Sequence, residues 1–181
     1  IAEDVVYKTN TQLKNGIYSK FGDVLIPASD TTPTGLARAT SIEKTGVLLG
    51  GDINVIRPCD EIDGSCLSLA INTNRKELIK LIKGTTVKHI YNSDIKNIYI
   101  TLPKSIEEQR KLVLLFKDID NLITLQQHKL EKIKSMKKAY LYEMFPAEGE
   151  SKPKRRFKGF TDGWEICKLS EVINDIADGP F

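Results

Sequence analysis

The chain has 181 residues, 40% of them hydrophobic and 28% charged, with a net charge of +3. That composition fits one folded domain with extensions and excludes a disordered chain. The charge is too small to demand a polyanionic partner. No apolar run approaches the roughly 18 residues of a membrane span, so no membrane partner is expected. Nothing at the front reads as a signal peptide. Cys59, Cys66 and Cys167 are an odd count with no Cys-x-x-Cys pair, which fits a reduced, cytoplasmic protein without a disulfide framework. The opening IAEDVVYK has no initiator methionine and reads as a start inside a longer frame.

Residues 1–104 read as mixed α/β. Val5–Tyr7 is a weak strand. Gly22-Asp23 turns into a strand Val24–Ile26, which Pro27 ends. Residues 28–40, ASDTTPTGLARAT, form a polar loop punctuated by Pro33 and Gly35. Val47–Leu49, Ile53–Arg57 and Cys66–Ile71 look like short strands separated by Gly-Gly, Pro and Asp-Gly. Asn74 with Glu77 three residues on is a capping box, opening a short helix that Gly84 closes, with Leu78, Ile79, Leu81 and Ile82 facing a sheet. Thr85–Tyr91 is extended and β-branched. Ser93-Asp94 starts a turn, and Asn97–Leu102 is an alternating strand that runs into Pro103.

From Leu102 to Pro146 the pattern changes. Ser105 and Glu108 form a second capping box, and no Gly or Pro follows until Pro146. Apolar residues step by three and four through Leu112, Leu115/Phe116, Ile119, Leu122/Ile123, Leu130, Ile133, Tyr140 and Met144, close to the period of a coiled coil. Gln126 and Lys137 fall on the same stripe, where polar residues fix register and partner. A helix of about 40 residues spans roughly 60 Å. That exceeds the width of a domain of this size, so part of it is expected to project and to need a partner helix. Leu112, Phe116, Ile119, Ile123, Leu130, Ile133 and Tyr140 are the expected pairing residues. No second long heptad run is present, so the partner lies in another chain or in a further part of this one. After Pro146, residues 146–156 have the composition of a linker, and RFKGFTDGWEICKLSEV carries the chain's single tryptophan, Trp164.

A strand ending in LP, then EEQRKL, then a helix with FKDIDNLITLQQHKLEKIK at its core, then MFP, resembles the conserved region of the specificity subunit of Type I restriction–modification systems. GDVLIPAS, VLLGGDINVIRP and GTTVKHIYNSDIKNIYITLP follow in the order of that family's target recognition domain, and RF..F...W...KL resembles the opening of its second one. The resemblance implies an α+β (mixed α/β) fold, a target-recognition-domain-like head with a long coiled-coil helix. Residues 1–104 would be the C-terminal part of a recognition domain and 105–145 the spacer helix. Residues 146–156 would be a linker, and 157–181 the first strand or two of a second, truncated recognition domain. It also implies double-stranded DNA as target and two partners, a modification subunit and a restriction subunit. S-adenosylmethionine and ATP would belong to those partners, and this chain would bind no cofactor.

A DNA-reading surface needs polar side chains for base edges and cations or amides for phosphates. Two loops offer them. Residues 29–40 carry Thr31, Thr32, Thr34 and Arg38, and residues 83–92 carry Thr85, Thr86, Lys88, His89 and Asn92. Arg38 suits a guanine and Asn92 an adenine. The alternative is structural: Thr85 and Thr86 as strand formers, Asn92 and Ser93 as turn caps, Arg38 as a surface charge. The basic run KPKRRFK, residues 152–158, reads as a solvated linker before a phosphate site.

No catalytic set is legible. Walker, GxGxxG, GxSxG and HExxH motifs are all missing. Cys59, Cys66 and His89 match no standard zinc spacing, so no metal site is expected. Cys66 reads as a core residue of a strand and Cys59 as a loop residue. Two other functions remain open: a coiled-coil adaptor whose α/β head binds protein, and a thiol or metal enzyme.

Overall fold

The computed structural model describes residues 14–177. The strand expected at Val5–Tyr7 lies outside them. The chain divides between Ile119 and Asp120 into two compact units.

The first unit is organised around a strand, β2 (Asp23–Pro27), flanked on both sides by antiparallel partners. Gly22, at φ 84°, turns the chain into it. Val24 and Ile26 share one face of the pleat and are fully buried. β4 (Thr40–Ile42) pairs along one edge, with Leu25 opposite Thr40. β6 (Ile53–Ile56) pairs along the other, with Leu25 opposite Val55. Two further antiparallel pairs stand apart from this sheet. β1 (Ile17–Tyr18) joins β5 (Leu48–Leu49), and β3 (Ser29–Asp30) joins β7 (Lys88–His89). Four helices close the head: α1 (Pro33–Leu36), α2 (Gly64–Thr73), α3 (Arg75–Lys80) and α4 (Asn92–Ile95). Val24, Ile26, Leu36, Leu67, Ile71, Leu78, Ile90 and Ile95 come together in one core. The architecture is mixed helix and sheet with a long helix attached.

Several local expectations are corrected. Cys66–Ile71 is not a strand but the middle of α2. Asp63 caps that helix by accepting from the Ser65 and Cys66 amides at 2.9 and 3.0 Å, so Asp63-Gly64 marks a helix start, not a hairpin turn. Cys66 is buried as expected, in a helix. Residues 28–40 are not simply a polar loop. Thr32 caps α1 through Gly35 N, and Leu36, Ala37 and Ala39 drop into the core. Asn74 precedes α3 without a side-chain cap; its amide instead donates to Tyr99 O at 3.0 Å. Leu78 is buried but Ile79 is exposed. In residues 85–91 only Lys88–His89 is strand, and Ser93-Asp94 lies inside α4. Asn97–Leu102 makes no ladder. Ile98 and Leu102 pack against the core and Tyr99 is exposed, but Ile100 between them is exposed too, and among the described residues no strand bonds this backbone.

α5 (Ile106–Met144) begins directly after Ser105 and runs for 39 residues. Its buried residues are Gln109 and Val113, one turn apart on one face. No helix among the described residues is long and apolar enough to cross a membrane.

In the second unit the chain reverses after Pro146 and returns along the end of α5. Arg155 N donates to Glu143 O at 2.8 Å, and its guanidinium pairs with the Glu143 carboxylate at 2.6 Å. Trp164 N donates to Ser151 O at 2.7 Å, and the indole sits edge-on to Phe145, 5.4 Å between centroids. The basic run is largely exposed, as expected of a solvated linker, but three of its cations lie over aromatic rings. Lys154 lies over Tyr142, Arg155 over Tyr140, and Arg156 over Phe160 and Trp164. The strands expected after residue 157 do not form among the described residues. The regular element there is a helical turn, α6 (Leu169–Val172).

Candidate nucleic-acid interface

The two polar loops, far apart in sequence, are brought together by the pairing of β3 with β7. Ser29 lies opposite His89 and Asp30 opposite Lys88. A buried asparagine secures the junction. Asn54, 4% exposed on β6, donates from its amide to Ile90 O at 3.1 Å and to Pro27 O at 3.5 Å. Ile90 N in turn donates to Ala28 O at 3.0 Å. The ends of β2 and β7 are therefore held side by side from inside the core.

The second loop is a tight hairpin. Lys83 and His89 exchange backbone bonds of 3.0 and 2.7 Å. Gly84, at φ 101°, is required at its corner, because a Cβ there would lie 2.3 Å from Val87 O. Thr85, Thr86 and Val87 are presented at the tip, all exposed. Lys88 Nζ donates to Thr85 O at 2.6 Å, which stiffens the tip. His89 stacks on Tyr91 at 6.1 Å, and Lys83 Nζ lies 5.7 Å from the Tyr91 ring while pairing with Asp94.

The first loop is just as constrained. Asp30 accepts from Thr32 N at 2.8 Å and from the Thr32 hydroxyl at 3.2 Å, and Thr31 Oγ1 approaches it at 3.5 Å. The Thr32 amide bond foremost, helped by the Thr hydroxyl and the nearby Arg38 charge, holds the Asp30 carboxyl below its ordinary range. Thr32 is thereby committed to structure as the cap of α1. Thr34 leaves its hydroxyl outside while its carbonyl accepts from Arg75. Arg38 is exposed between two buried alanines, and Asn72 clamps Ala39 N and O at 2.8 Å each, so Arg38 stands on a fixed backbone. Asn92 is exposed as the first residue of α4.

Thr31, Thr34 and Arg38 from one loop and Thr85, Thr86, Lys88, His89 and Asn92 from the other thus belong to adjoining segments. Exposed hydroxyls, an amide and an imidazole can read base edges, and Arg38 and Lys88 can meet phosphates. Sequence reasoning missed Tyr91, which is half exposed, Val87 at the tip, and Asn54 beneath them. A β-branched Val in an extended stretch was visible; its place at a hairpin tip was not. Among the described residues, no group of three or more His, Cys, Asp or Glu side chains that could hold a metal comes together.

Along α5 the expected pairing residues are exposed, Tyr140 with Arg155 lying over its ring. Leu112, Phe116 and Ile119 are 36%, 44% and 40% exposed, and Ile123, Leu130, Ile133 and Tyr140 between 43% and 53%.

Fold and site together define an α+β domain that carries a rigid polar surface and a long helix with an open apolar stripe. Residues 3–135, well over half of the chain, match the Type I restriction modification DNA specificity domain, and the chain belongs to that family. The specificity subunit of the MjaVIII Type I restriction enzyme of Methanocaldococcus jannaschii is 26% identical over 186 residues, covering 97% of this chain and 43% of that protein. A provisionally named type I specificity subunit of Mycoplasma pneumoniae is 26% identical over 119 residues, covering 66% of this chain and 29% of its own. The chain therefore spans less than half the length of these curated relatives. The crystal structure of the S subunit of a Type I restriction–modification system from M. genitalium shares the fold, with a TM-score of 0.53 at 16% identity over 71% of this chain and 34% of that one.

Proposed function

We propose that the chain recognises a DNA sequence as part of the non-catalytic specificity subunit of a Type I restriction–modification complex. The observation that carries this is the pairing of β3 with β7, which merges two polar loops into one surface in a chain of the specificity-domain family. On this reading, Thr31, Thr34, Thr85, Thr86, His89 and Asn92 meet base edges, and Arg38 and Lys88 position the backbone. Residues 1–104 are part of one recognition domain, 105–145 the spacer helix, 146–156 a linker and 157–181 the opening of a second domain. The helix adds a fixed rise per residue, so its length sets the gap between the halves of a split target. A modification subunit and a restriction subunit supply methyl transfer and cleavage. The stripe from Leu112 to Tyr140 pairs with another long helix, and a second copy of this chain is the partner to test first.

The test is a salt titration of duplex binding. Each phosphate contact contributes a slope of about −0.9 in log affinity against log salt. Arg38→Ala and Lys88→Ala should each reduce the slope by about one contact, with base preference retained. Thr85→Ala and Asn92→Ala should instead relax base preference by about 1–3 kcal/mol per lost contact. A salt-independent interaction would move the reading to a protein-binding adaptor.

A further inference from the structure

Gln109 is fully buried near the start of α5. Both ends of its carboxamide are bonded. Oε1 accepts from Asp63 N at 2.8 Å, and Nε2 donates to Pro103 O at 2.9 Å and to Glu61 O at 3.3 Å. One donor and two acceptors surround it, so a single orientation of the amide satisfies all three. The partners come from two separate segments: the turn that starts α2 and the residues that lead into α5. Asp63 is itself the cap of α2, through Ser65 and Cys66. α2 also holds the first polar loop, through the Asn72 clamp on Ala39. The start of α5 is thus registered by directional bonds to the helix that positions Arg38. Four and eight residues further along the same face, Val113 is buried and Lys117 pairs with Glu43.

Apolar burial is non-directional, and a helix seated by Val113 alone can roll and tilt at little cost. Two directional hydrogen bonds to the backbone of the turn before α2, with a third back to Pro103 in the lead-in segment, oppose that motion. We propose that Gln109 is a positioning residue, the polar joint that fixes the direction in which α5 leaves the head. The joint itself stands on geometry alone. Only its consequence, that spacing between half-sites is transmitted without slack, rests on the proposed DNA reading.

The experiment measures the joint directly. Cys59→Ser and Cys167→Ser remove the exposed thiols, and spin labels are placed at Lys76→Cys on α3 and Asp118→Cys on α5, both exposed positions. Dilution with unlabelled chain suppresses distances between copies. Asp118 lies about 14 Å along the axis from Gln109, so a swing of roughly 20° moves the label by about 5 Å. The parent should give one narrow distance distribution. Gln109→Met, which keeps the shape and removes every side-chain bond, should broaden it about twofold with the circular dichroism of the head retained. Gln109→Glu keeps the acceptor for Asp63 N but sets a carboxylate against the Pro103 and Glu61 carbonyls, so it should broaden the distribution at least as much as Gln109→Met. A parental width in Gln109→Met, or a parent as broad as the variant, overturns the joint. If Gln109→Met does not fold, Gln109→Glu decides: broader supports it and parental width overturns it. No DNA is involved, so failure here and failure of DNA recognition are separate results. In the DNA-binding complex, Gln109→Met should also accept sites one base pair longer or shorter, with base preference unchanged. Unaltered spacing beside a broadened joint would overturn its role in spacing.

Discussion

Asn54→Ala is the substitution that most directly questions how the two polar loops are held together. The side chain is 4% exposed and its amide bridges Ile90 O and Pro27 O, one bond at 3.1 Å and a marginal one at 3.5 Å. Truncation leaves the Ile90 carbonyl buried without that donor. An orphaned buried polar group costs about 1–3 kcal/mol, and the marginal second bond adds little. At about 2–4 °C per kcal/mol for a chain of 150–250 residues, a loss of about 2 kcal/mol lowers the melting temperature by roughly 4–8 °C. Asn54→Asp should be at least as damaging, because it removes the same donors and sets a carboxylate against two carbonyl oxygens. The assay is thermal unfolding followed by circular dichroism, with duplex affinity measured well below the transition. Affinity should fall further than for an equally destabilising change elsewhere, since the two loops lose a shared anchor. A melting temperature within about 2 °C of the parent would refute the reasoning, because an orphaned buried carbonyl cannot be that cheap.

Three further outcomes are expected. Gly64→Ala would place a Cβ 1.8 Å from Gly22 O, so the start of α2 must back away from the turn that enters β2; thermal unfolding should show a loss of about 1–3 kcal/mol, and an unshifted curve would mean that α2 moves freely there. Asp30 titrates below its ordinary value, so its contribution is complete above the unfolded pKa of about 3.9 and disappears as pH falls through the lower folded value; carboxyl carbon chemical shifts should show that low midpoint, and an ordinary one would mean that the Thr32 amide bond is not held in solution. Burial foremost, with the Asp63 charge, pushes the Cys66 thiol up, whereas Cys59 and Cys167 are exposed; alkylation followed by mass spectrometry should modify Cys66 on the order of a hundredfold more slowly than the other two, and equal rates would place Cys66 outside the core.

The long helix was legible because nothing in it competes: no Gly or Pro interrupts a run of three- and four-residue apolar steps. β2 and β6 were legible because Gly and Pro punctuate alternating β-branched residues there. Cys66–Ile71 misled because a short buried helix and a short buried strand carry the same apolar run, and only the Asp63 cap separates them. Asn97–Leu102 misled in another way. Ile98 and Leu102 pack against existing core, and period alone does not reveal that no ladder partner is present among the described residues. The chemistry of both polar loops could be read from residue types, but their pairing could not, since two-residue strands such as Ser29–Asp30 carry no period. Gln109 stood within the EEQRKL motif, yet its partners Glu61 and Asp63 lie more than 40 residues away and no local pattern points to them.

The most direct measurement is selection from a pool of random duplexes, using the chain together with the modification subunit proposed as its partner. The parent should enrich a defined split motif. A variant carrying Arg38→Ala, Thr85→Ala, Thr86→Ala and Asn92→Ala should lose one half of that motif while its circular dichroism is unchanged. No enrichment by the parent, or the same motif enriched by the variant, would contradict DNA recognition through the paired loops.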